Sequence, residues 1–318
     1  MIDLKEDDLA IAILNYNGAA WLEKFLLTFI SNSPRGSIYV IDNGSTDLSL
    51  EVLKKWPEVH IINLDANYGF CGGYNQGIKQ IDKKYLILVN SDVEVTPGWF
   101  TPLLEKIANP LVGACQPKVL DYNNKNRFEY AGAAGGMMDA WSLPYCHGRT
   151  FAGTIIDTGQ FEKESKIFWA SGACMAIQRE VFEAIGGFDE LFFAHMEEID
   201  LCWRLQIAGY EIWYTPKSTI FHVGGGTLSA QSPKKTFLNH RNNLFTIYKN
   251  YGKGKFALLT WRLILDGAIG CYYLFTKGPR HVMAVIKAHI DFYKLHKKLI
   301  VTNGQGKKYL SRKRVLLS

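Results

Sequence analysis

The chain has 318 residues, 47% of them hydrophobic, which is enough for one large globular domain with an appendage. Its six cysteines are dispersed without a Cys-x-x-Cys pair, so neither a disulfide framework nor a zinc site is expected. The net charge of +6 is uneven, since residues 251–318 carry 14 Lys and Arg residues and two acidic ones. An acidic body with a basic tail argues against a general nucleic-acid binder, and the acidic start of the chain does not resemble a signal peptide.

The first part of the chain alternates short apolar segments with helical ones. Strands are expected over Leu9–Leu14, Ser37–Ile41, His60–Leu64 and Tyr85–Val89, and helices over Ala20–Ser31, Ser45–Trp56 and Gly72–Gln80. Because these strands are apolar throughout, both of their faces should be covered, which is typical of a parallel α/β sheet. Ligands of such sheets bind beyond the carboxyl ends of the strands. We therefore expect Asn15–Asn17, Asp42–Gly44 and Asn90–Asp92 to line one rim.

The second part of the chain is less regular. Residues 111–165 are expected to form short strands and a mobile loop beside the site. The elements expected after them are a strand over Lys166–Ile177 interrupted by Ser171-Gly172, helices over Arg179–Ile185 and Glu197–Ala208, and strands over Glu211–Tyr214 and Thr219–His222.

Asp92 follows the buried strand Tyr85–Val89, where a carboxylate is costly unless it is paired or bound to a metal. Hard oxygen ligands suit Mg²⁺ or Mn²⁺ held together with substrate phosphates. We interpret Asp92 as a metal ligand, with Asn90 offering at most a neutral oxygen. The alternative is an ordinary turn before Pro97-Gly98.

A second group of acids, Glu197, Glu198 and Asp200, opens a predicted helix. Acidic residues are favourable at helix N-termini, and Asp200 lies four residues before Arg204, a pairing distance. Glu198 instead shares the apolar stripe of the helix, so burial should raise its pKa toward the working range of a base. Glu198 is therefore the predicted general base.

His222 follows the last predicted strand and precedes the glycine run Gly224–Gly226. A lone histidine usually has a structural role, but the glycine run indicates a mobile or closely approached loop. We interpret His222, as a neutral imidazole, as a second metal ligand. His147 and His195 have no comparable setting and are left as structural or substrate-side residues.

Two further segments have both a functional and a structural interpretation. Asn43–Asp47 either caps a helix or hydrogen-bonds the base or ribose of a nucleotide, on which Tyr16 could stack. Asn67–Gly77 lacks the spacing of a dinucleotide fingerprint. Its glycines either open a helix to an anion or let that helix pack closely on the sheet.

In their order and spacing these segments resemble the inverting, metal-dependent family-2 glycosyltransferases with the GT-A fold, nearest to the rhamnosyltransferase-like branch. The resemblance runs from about Leu9 to Tyr248. The matching stretches are Ile13–Gly18, Val40–Asp47, Asn67–Gly77, Val89–Trp99, Ser171–Cys174, Gly186–Asp189, Glu197–Gly209 and His222–Gly226. The resemblance implies a mostly parallel sheet flanked by helices and a Mg²⁺ or Mn²⁺ cofactor. It also implies transfer of a sugar, with rhamnose as the first expectation, from a dTDP- or UDP-linked donor to a glycan or lipid-linked acceptor in cell-surface polysaccharide synthesis.

The resemblance also implies roles for single residues. Glu198 is placed as the base, and Asp92 and His222 at the metal. The nucleotide side is assigned to Tyr16, Asp42, Asn43, Asn67, Gly72 and Asn90, and supporting roles to Glu197, Asp200, Ser171 and Gly172. The chain departs from the family pattern at Asn90, where many relatives carry Asp, and at Glu198, which stands in place of Asp.

The basic tail is expected to form two amphipathic helices, over Phe256–Phe275 and from Gly278-Pro279 onward. Arg262 and Asp266 interrupt the first, which argues against a transmembrane span. The helices either lie on an anionic membrane or form a helical cap on a catalytic domain of residues 1–250. The first alternative places a cytoplasmic protein peripherally at the inner face of the plasma membrane.

Two other functions compete with sugar transfer. A sugar-phosphate nucleotidyltransferase would carry a glycine-rich loop with a basic residue directly after the first strand, and Asn15–Ala20 has none. A non-catalytic carbohydrate-binding protein would show no turnover and would tolerate Glu198→Gln.

Overall fold

The computed structural model describes residues 6–150, 153–224, 231–302 and 306–311. Within these ranges the strands are β1 (Leu9–Asn15), β2 (Ile38–Asp42), β3 (His60–Asn63), β4 (Tyr85–Asn90), β5 (Val93–Val95), β6 (Val112–Asp121), β7 (Gly136–Met138), β8 (Pro144–Cys146), β9 (Arg149–Thr150), β10 (Gly153–Thr154), β11 (Ser165–Lys166), β12 (Cys174–Gln178) and β13 (Glu211–His222). The helices are α1 (Ala19–Asn32), α2 (Ser49–Leu53), α3 (Gly69–Ile78), α4 (Phe100–Ile107), α5 (Arg179–Ala184), α6 (Glu197–Ile207), α7 (Pro233–Asn250), α8 (Lys255–Thr276) and α9 (Pro279–Leu295). Short 3-10 turns lie at Glu6–Asp8, Glu190–Phe192, His296–Lys298 and Gly306–Tyr309.

The main sheet has the order β11-β13-β6-β12-β4-β1-β2-β3, with β5 paired to β13. Strands β1 to β4 are parallel, and β6 is parallel to β13. Strand β12 runs antiparallel between β4 and β6. The carboxyl ends of β1, β2, β4, β6 and β13 therefore meet at one edge, beside the start of β12. The predicted parallel arrangement is confirmed for β1 to β4, within a described sheet that has four parallel and four antiparallel strand pairs. This edge carries the predicted rim.

Two apolar cores lie on opposite faces of the sheet. Within β1, Ile11 belongs to one core and Ala12 to the other, which explains why the strand is apolar throughout. Helices α1 and α4 cover the first core, and α3 and α6 cover the second. Helix α3 lies so close to the sheet that a Cβ on Gly77 would be 2.3 Å from Ile41 Cδ1. Only glycine fits at that position.

Several elements differ from the sequence prediction. Helices α4 and α7 come from segments for which no element was predicted, and β6 is one ten-residue strand where short strands were expected. Strand β13 is continuous where two strands were predicted, although its register on β6 shifts between Thr215 and Thr219. Pro216 lies in that interval and has no N–H to donate to the neighbouring strand, which explains the shift.

Helix α2 begins at Ser49 rather than at the predicted Ser45. The Ser45 hydroxyl donates to Asp42 Oδ1 at 2.7 Å and so belongs to the rim. The N-cap residue is Leu48, and Asp47 before it has a carboxylate that accepts from the backbone N–H of Ser49 at 3.0 Å.

The described part of the tail packs on the core through α7. The indole N–H of Trp203 donates to the carbonyl of Gly306 at 3.1 Å. A Cβ on Gly306 would lie only 1.8 Å from the carbonyl oxygen of Asn250, so the chain passes very close to α7 there. These contacts agree with the helical-cap alternative. Among the described helices, α8 alone is long and apolar enough to cross a membrane by length and composition, and 28% of its apolar window is buried in the fold.

Candidate active site

The base of the rim is a buried network around Asp42. Asn15 Nδ2 donates to Asp42 Oδ1 at 2.9 Å, and the hydroxyl and backbone N–H of Ser45 donate to the same carboxylate at 2.7 and 3.0 Å. These bonds join the ends of β1 and β2, so Asp42 supports the rim from beneath. Tyr16 stands at the outer side of the rim, 41% exposed, where a base could stack on it.

Asn43 joins the end of β2 to the start of α3. Its Nδ2 donates to Asn67 Oδ1 at 3.2 Å and to the carbonyl of Gly69 at 2.9 Å, and its Oδ1 accepts from the backbone N–H of Tyr68 at 3.0 Å. Both hydrogens of the Asn43 side-chain amide are therefore donated to protein acceptors. Asn67 is the exposed partner of this pair. Contact of Asn43 and Asn67 with a nucleotide stays a prediction.

The glycine run lies inside a helix rather than in front of one. Helix α3 begins at Gly69, three residues before the predicted start, so Gly72 is in its first turn. A Cβ on Gly72 would lie 2.7 Å from Tyr68 Cβ, and a Cβ on Gly73 would lie 2.8 Å from Leu14 Cδ1. These distances favour the close-packing interpretation of the run. Contact of Gly72 with a nucleotide stays a prediction.

Asp92 and His222 lie side by side at the sheet edge. His222 ends β13 and pairs with Val93 of β5, which brings its Nε2 to 3.2 Å from Asp92 Oδ1. Its Nδ1 lies 3.6 Å from Glu129 Oε1, an ion-pair distance. All three side chains are buried. The expected partner of the Asp92 carboxylate is therefore His222, while the glycines Gly225 and Gly226 after it fall outside the described residues.

The carboxylates on both sides of His222 set its charge. Burial alone would lower the pKa of His222, but Asp92 and Glu129 raise that pKa to about 10. Burial would likewise raise the pKa of Glu129, and His222 holds it below its usual value. A cation on Asp92 and His222 would compete with the imidazole proton, so its binding would weaken as the pH falls. The neutral imidazole expected from the sequence would be the metal-bound form.

The pair of Asp92 and His222 fits a shared cation. Adjacent ligands of an octahedral ion with metal–ligand distances of about 2.1 Å lie about 3 Å apart, and Asp92 Oδ1 and His222 Nε2 are 3.2 Å apart. Glu129 Oε1 lies 3.6 Å from the other ring nitrogen, just beyond hydrogen-bond distance, on the side where carboxylates orient metal-binding histidines. Across the described ranges, no group of three or more His, Cys, Asp or Glu residues is arranged to hold a metal. Completion of the metal shell by substrate phosphates stays a prediction. Asn90 ends β4 nearby, with its N–H donating to Ala173 O at 3.1 Å.

Ser171 holds the loop that carries Glu129. The Ser171 hydroxyl donates to the carbonyl of Ala131 at 2.8 Å, and the N–H of Ala131 donates to Glu129 Oε2 at 2.5 Å. A Cβ on Gly172 would meet the Phe70 ring at 3.4 Å, an ordinary contact. Ser171 therefore supports the loop beside His222.

The acids of α6 follow a strained segment. Phe193, His195 and Met196 have φ of 63°, 69° and 71°, a left-handed conformation that is uncommon outside glycine. Asn242 of α7 donates through Nδ2 to three carbonyl oxygens of residues 192–195, at 2.7 to 3.0 Å. Such strain persists only where the surroundings enforce it. Helix α7 thus fixes the backbone that leads into α6.

Glu197 is buried and Glu198 half-buried, and neither carboxyl has a cationic partner among the described residues. Burial raises the pKa of Glu198 to about 7, and burial together with Glu198 raises the pKa of Glu197 well above its usual value. Neither Oε2 atom has a hydrogen-bond partner in the described part of the chain. The raised pKa predicted for Glu198 agrees with its burial, but helix phase does not separate it from its neighbours, because α6 is buried around almost its whole circumference. Glu197 is 5% exposed and Glu198 is half-buried, so Glu198 is the more accessible acid.

Asp200 has the opposite surroundings. It accepts from Arg204 Nε at 2.8 Å, Lys249 Nζ at 3.0 Å and Asn250 Nδ2 at 2.8 Å. Burial would raise the pKa of Asp200, but Arg204 and Lys249 hold it below its usual value. The predicted pairing with Arg204 is confirmed, and Asp200 is an ionised anchor between α6 and α7.

Glu198 and Glu129 act on the same buried thiol. Burial raises the pKa of Cys146 to about 12, and both carboxylates are among the causes. Glu129 and Glu198 therefore both lie within electrostatic range of Cys146. Burial also lowers the pKa of His195, next to α6, to about 4, so this imidazole is neutral near pH 7. A carboxylate that titrates near neutrality beside a cation site can take a proton from a hydroxyl next to a phosphate leaving group.

Sequence reasoning missed Glu129 and helix α7. Glu129 lies in the irregular 111–165 segment, where no pattern marks it. Helix α7 did carry a signal, since Ser232 followed by Pro233 is typical of a helix start.

Known proteins share both the sequence and the fold. The profile described as "Glycosyl transferase family 2" matches residues 10–186, more than half of the chain. The N-acetylglucosaminyl-diphospho-decaprenol L-rhamnosyltransferase of Mycobacterium tuberculosis is 25% identical over 274 residues, covering 81% of this chain and 89% of that protein. The low-salt glycan biosynthesis hexosyltransferase Agl10 of Haloferax volcanii is 23% identical over 298 residues, covering 88% and 89% of the two chains.

Solved structures extend the likeness to the fold. GalNAc-T7 with UDP, GalNAc and Mn²⁺ superposes with a TM-score of 0.58 at 16% identity, over 91% of this chain and 55% of that one. The mannosyltransferase PcManGT of Pyrobaculum calidifontis, with GDP-Man and Mn²⁺, gives 0.55 at 14% identity, over 95% and 84%. The fold is therefore GT-A. Because the profile matches more than half of the chain, including the ends of β1, β2 and β4 and Asp92, the chain belongs to glycosyl transferase family 2.

Proposed function

We propose that this chain transfers a sugar, with rhamnose as the first candidate, from a dTDP- or UDP-linked donor to a hydroxyl of a glycan or lipid-linked acceptor. Family membership favours sugar transfer over nucleotidyl transfer and over sugar binding without turnover. The observation that carries the proposal is Glu198. It is a half-buried carboxyl with a pKa of about 7 and an Oε2 atom without a hydrogen-bond partner in the described ranges.

The proposed reaction is a single displacement. Deprotonated Glu198 accepts the proton of the acceptor hydroxyl while that oxygen bonds to the anomeric carbon, on the face opposite the leaving group. The bond from this carbon to the diphosphate oxygen breaks, and its electron pair stays on the nucleoside diphosphate. The anomeric configuration is inverted. A pKa near 7 suits the base, because a large fraction is then deprotonated near neutral pH.

Asp92 and His222 would hold Mg²⁺ or Mn²⁺ on the leaving-group side. Bound there, the cation supplies Lewis-acid stabilisation of the charge that develops on the diphosphate. Glu129 orients His222 through its second ring nitrogen. Tyr16 and Asn67 face the nucleotide at the rim, which Asp42 and Asn43 hold in place.

The relatives support the choice of substrates. By its name, the mycobacterial relative transfers L-rhamnose to a sugar on a diphospho-decaprenol lipid. This supports rhamnose and a lipid-linked acceptor for cell-surface polysaccharide synthesis by the present chain. The solved neighbours carry UDP and GDP-Man, so the base of the donor is left to experiment. A cytoplasmic protein lying peripherally on the membrane through α8 would meet such an acceptor.

A donor screen tests the proposal. Release of nucleoside diphosphate by the full chain with Mn²⁺ would be measured for dTDP-rhamnose, UDP-linked sugars and GDP-mannose. We expect one dTDP- or UDP-linked donor to turn over about tenfold or more faster than the others. A few contacts in the donor pocket are enough to distinguish one nucleotide sugar from another by that factor. A chelator and Asp92→Asn should both abolish this turnover. Absence of turnover for every donor contradicts the proposal, and chelator-insensitive turnover contradicts the metal role of Asp92 and His222.

A further inference from the structure

Both charged side chains in the apolar stretch of α8 point into the fold. Arg262 and Asp266 are 6% and 1% exposed and lie 2.9 Å from each other. Asp266 also lies 2.9 Å from His240 of α7 and 2.9 Å from His289 of α9. The charges that interrupt the apolar stretch in the sequence are therefore absent from its outer surface.

The outer surface of α8 and α9 is apolar with a basic edge. Between residues 256 and 276, α8 exposes no charged side chain, whereas Ile264 is 62% and Phe275 87% exposed. On α9, Arg280, Lys287 and Lys294 are exposed at seven-residue intervals, which places them along one side of the helix. An apolar face beside a cationic row is complementary to the surface of an anionic membrane.

A groove of about 430 Å³ lies between α8 and α9. Its walls include Leu263 and Leu274 of α8 and Ile286 and Ile290 of α9. Its floor contains Gly267 and Gly270 of α8. Because these residues have no side chains, the groove extends down to the helix backbone. The volume is in the range of small-molecule sites, and the walls are almost entirely apolar.

The two glycines keep a space that the described chain does not fill. A Cβ on Gly267 or Gly270 would meet no atom within 4 Å, and neither residue has a positive φ. Glycine destabilises the interior of a helix, so it needs a compensating reason. At Gly77 that reason is the close contact with Ile41, at 2.3 Å. At Gly267 and Gly270 the fold offers no such contact, which indicates an external occupant.

The α8–α9 turn lies beside the start of α7. His281 Nδ1 is 2.8 Å from the hydroxyl of Thr236, near the start of α7. Only residues 223–232 separate α7 from His222. On the same side, burial raises the pKa of Tyr273, and Tyr130, which follows Glu129, adds to that rise. One end of the groove therefore lies on the side of the molecule that carries the start of α7 and Tyr130.

We propose that the groove between α8 and α9 binds the hydrocarbon chain of the lipid-linked acceptor. The inference rests on the proposed function and adds the site at which the lipid part of the substrate is held. The chain would lie over Gly267 and Gly270, with its anionic head group toward the α8–α9 turn and the active site. The basic row on α9 would face the head groups of the surrounding membrane.

Two other occupants fit less well. A second copy of this chain would bring two equal basic rows together across a symmetric interface, and like charges oppose that contact. An ordinary phospholipid would fill the groove without relation to the active site. Both are outcomes of the test.

The test uses photolabelling of the full chain in detergent micelles by a polyisoprenyl phosphate with a diazirine in its hydrocarbon chain. We expect labelled peptides from residues 263–274 and 282–293. The variant Gly267→Leu/Gly270→Leu fills the groove and should lower the labelling by about tenfold or more, because it removes apolar contact area. Ala268→Leu adds the same side chain to the exposed outer face of α8 and should label within about twofold of the unmodified chain.

Competition separates the lipid sources. Unlabelled polyisoprenyl phosphate should suppress labelling, and phosphatidylglycerol at equal concentration should not. The inference is overturned if both lipids suppress labelling equally, or if labelling is unchanged in the groove-filled variant. It is also overturned if the sedimentation mass of that variant falls from that of a dimer to that of a monomer. If the double variant does not unfold cooperatively, the single variant Gly267→Leu replaces it, and the same loss of labelling, about tenfold or more, is expected. Labelling does not require a sugar donor. If the protein is labelled in the groove but transfers no sugar, the result contradicts the proposed function and leaves the lipid site standing.

Discussion

The three acids in the first turn of α6 differ in their surroundings, and this decides their chemistry. Arg204 and Lys249 neutralise Asp200 at 2.8 and 3.0 Å, so it stays ionised as an anchor. Glu197 and Glu198 have no cationic partner in the described residues, and burial raises the pKa of both carboxyls, so they stay protonated to higher pH. One helix turn thus provides both a fixed charge and a group that can exchange a proton near neutrality.

At the residue scale, Glu129 provides a prediction about the metal site. Glu129→Gln removes the carboxylate that faces His222 Nδ1, so the apparent dissociation constant for Mn²⁺ should rise about 10- to 100-fold. The constant would be measured by calorimetry in the presence of the nucleoside diphosphate. Glu105→Gln, an exposed carboxylate on α4, is the matched control and should leave it unchanged. An unaltered Mn²⁺ affinity in Glu129→Gln would show that Glu129 does not orient the ligand.

A local physical cost marked Asp92 in the sequence, because a buried carboxylate is costly unless it is paired or bound to a metal. The structure pairs Asp92 with His222 at 3.2 Å, and its role as a metal ligand stays a prediction. The choice between Glu197 and Glu198 could not rest on helix phase, because α6 has almost no exposed face. Glu129 could not be found either, since its position depends on the contact between Ser171 and Ala131.

At the scale of elements, α7 links the tail to the catalytic acids through polar contacts. Its buried residues include Arg241, Asn242, Asn243 and Asn250. Arg241 and Asn242 both donate to carbonyl oxygens of residues 191–195, ahead of α6. The inward face of α7 mixes these polar residues with buried Leu244, Phe245 and Ile247. The polar residues interrupt the apolar stripe, and hydrophobic periodicity did not predict the helix.

Two adjacent asparagines of α7 provide a matched pair of variants. Asn242 holds residues 192–195, whereas Asn243 donates to the carbonyl of Ser142 at 2.8 Å, away from α6. Replacing either by Ala should cost about 1 to 3 kcal/mol of stability, measured by urea unfolding, because buried carbonyls lose a donor. Only Asn242→Ala should also lower kcat, by about tenfold or more, because the start of α6 would move. The KM for the donor should stay unchanged. Equal kcat values in the two variants would contradict this role of α7.

At the scale of the whole molecule, the sheet and the tail differ in how far the sequence predicts them. Continuous apolar strands were sufficient to predict the parallel sheet and its rim, because burial on both faces leaves a direct pattern. The tail has both expected properties, packing on α7 and exposing an apolar face. The direction in which Arg262 and Asp266 point depends on His240 and His289, which belong to other helices. No local pattern in α8 contains that information.

The exposed face of α8 yields a prediction about membranes. Ile264→Glu/Phe275→Glu places two charges on side chains that are 62% and 87% exposed, so thermal stability should not change. Cosedimentation with phosphatidylglycerol vesicles should weaken by about tenfold or more, because apolar insertion is lost. The control is Leu48→Glu/Leu111→Glu, on side chains 68% and 61% exposed in the catalytic domain. If all three proteins sediment with the vesicles to the same extent, α8 does not bind the membrane.

The rate of sugar transfer by Glu198→Gln tests the central claim most directly. The amide keeps the shape of the side chain but cannot accept the acceptor proton as a carboxylate does. We predict a loss of about 10² to 10⁴ in kcat, the usual contribution of a general base, with nucleoside diphosphate binding retained. Transfer at close to the unmodified rate, with binding intact, would contradict the assignment of Glu198 as the base.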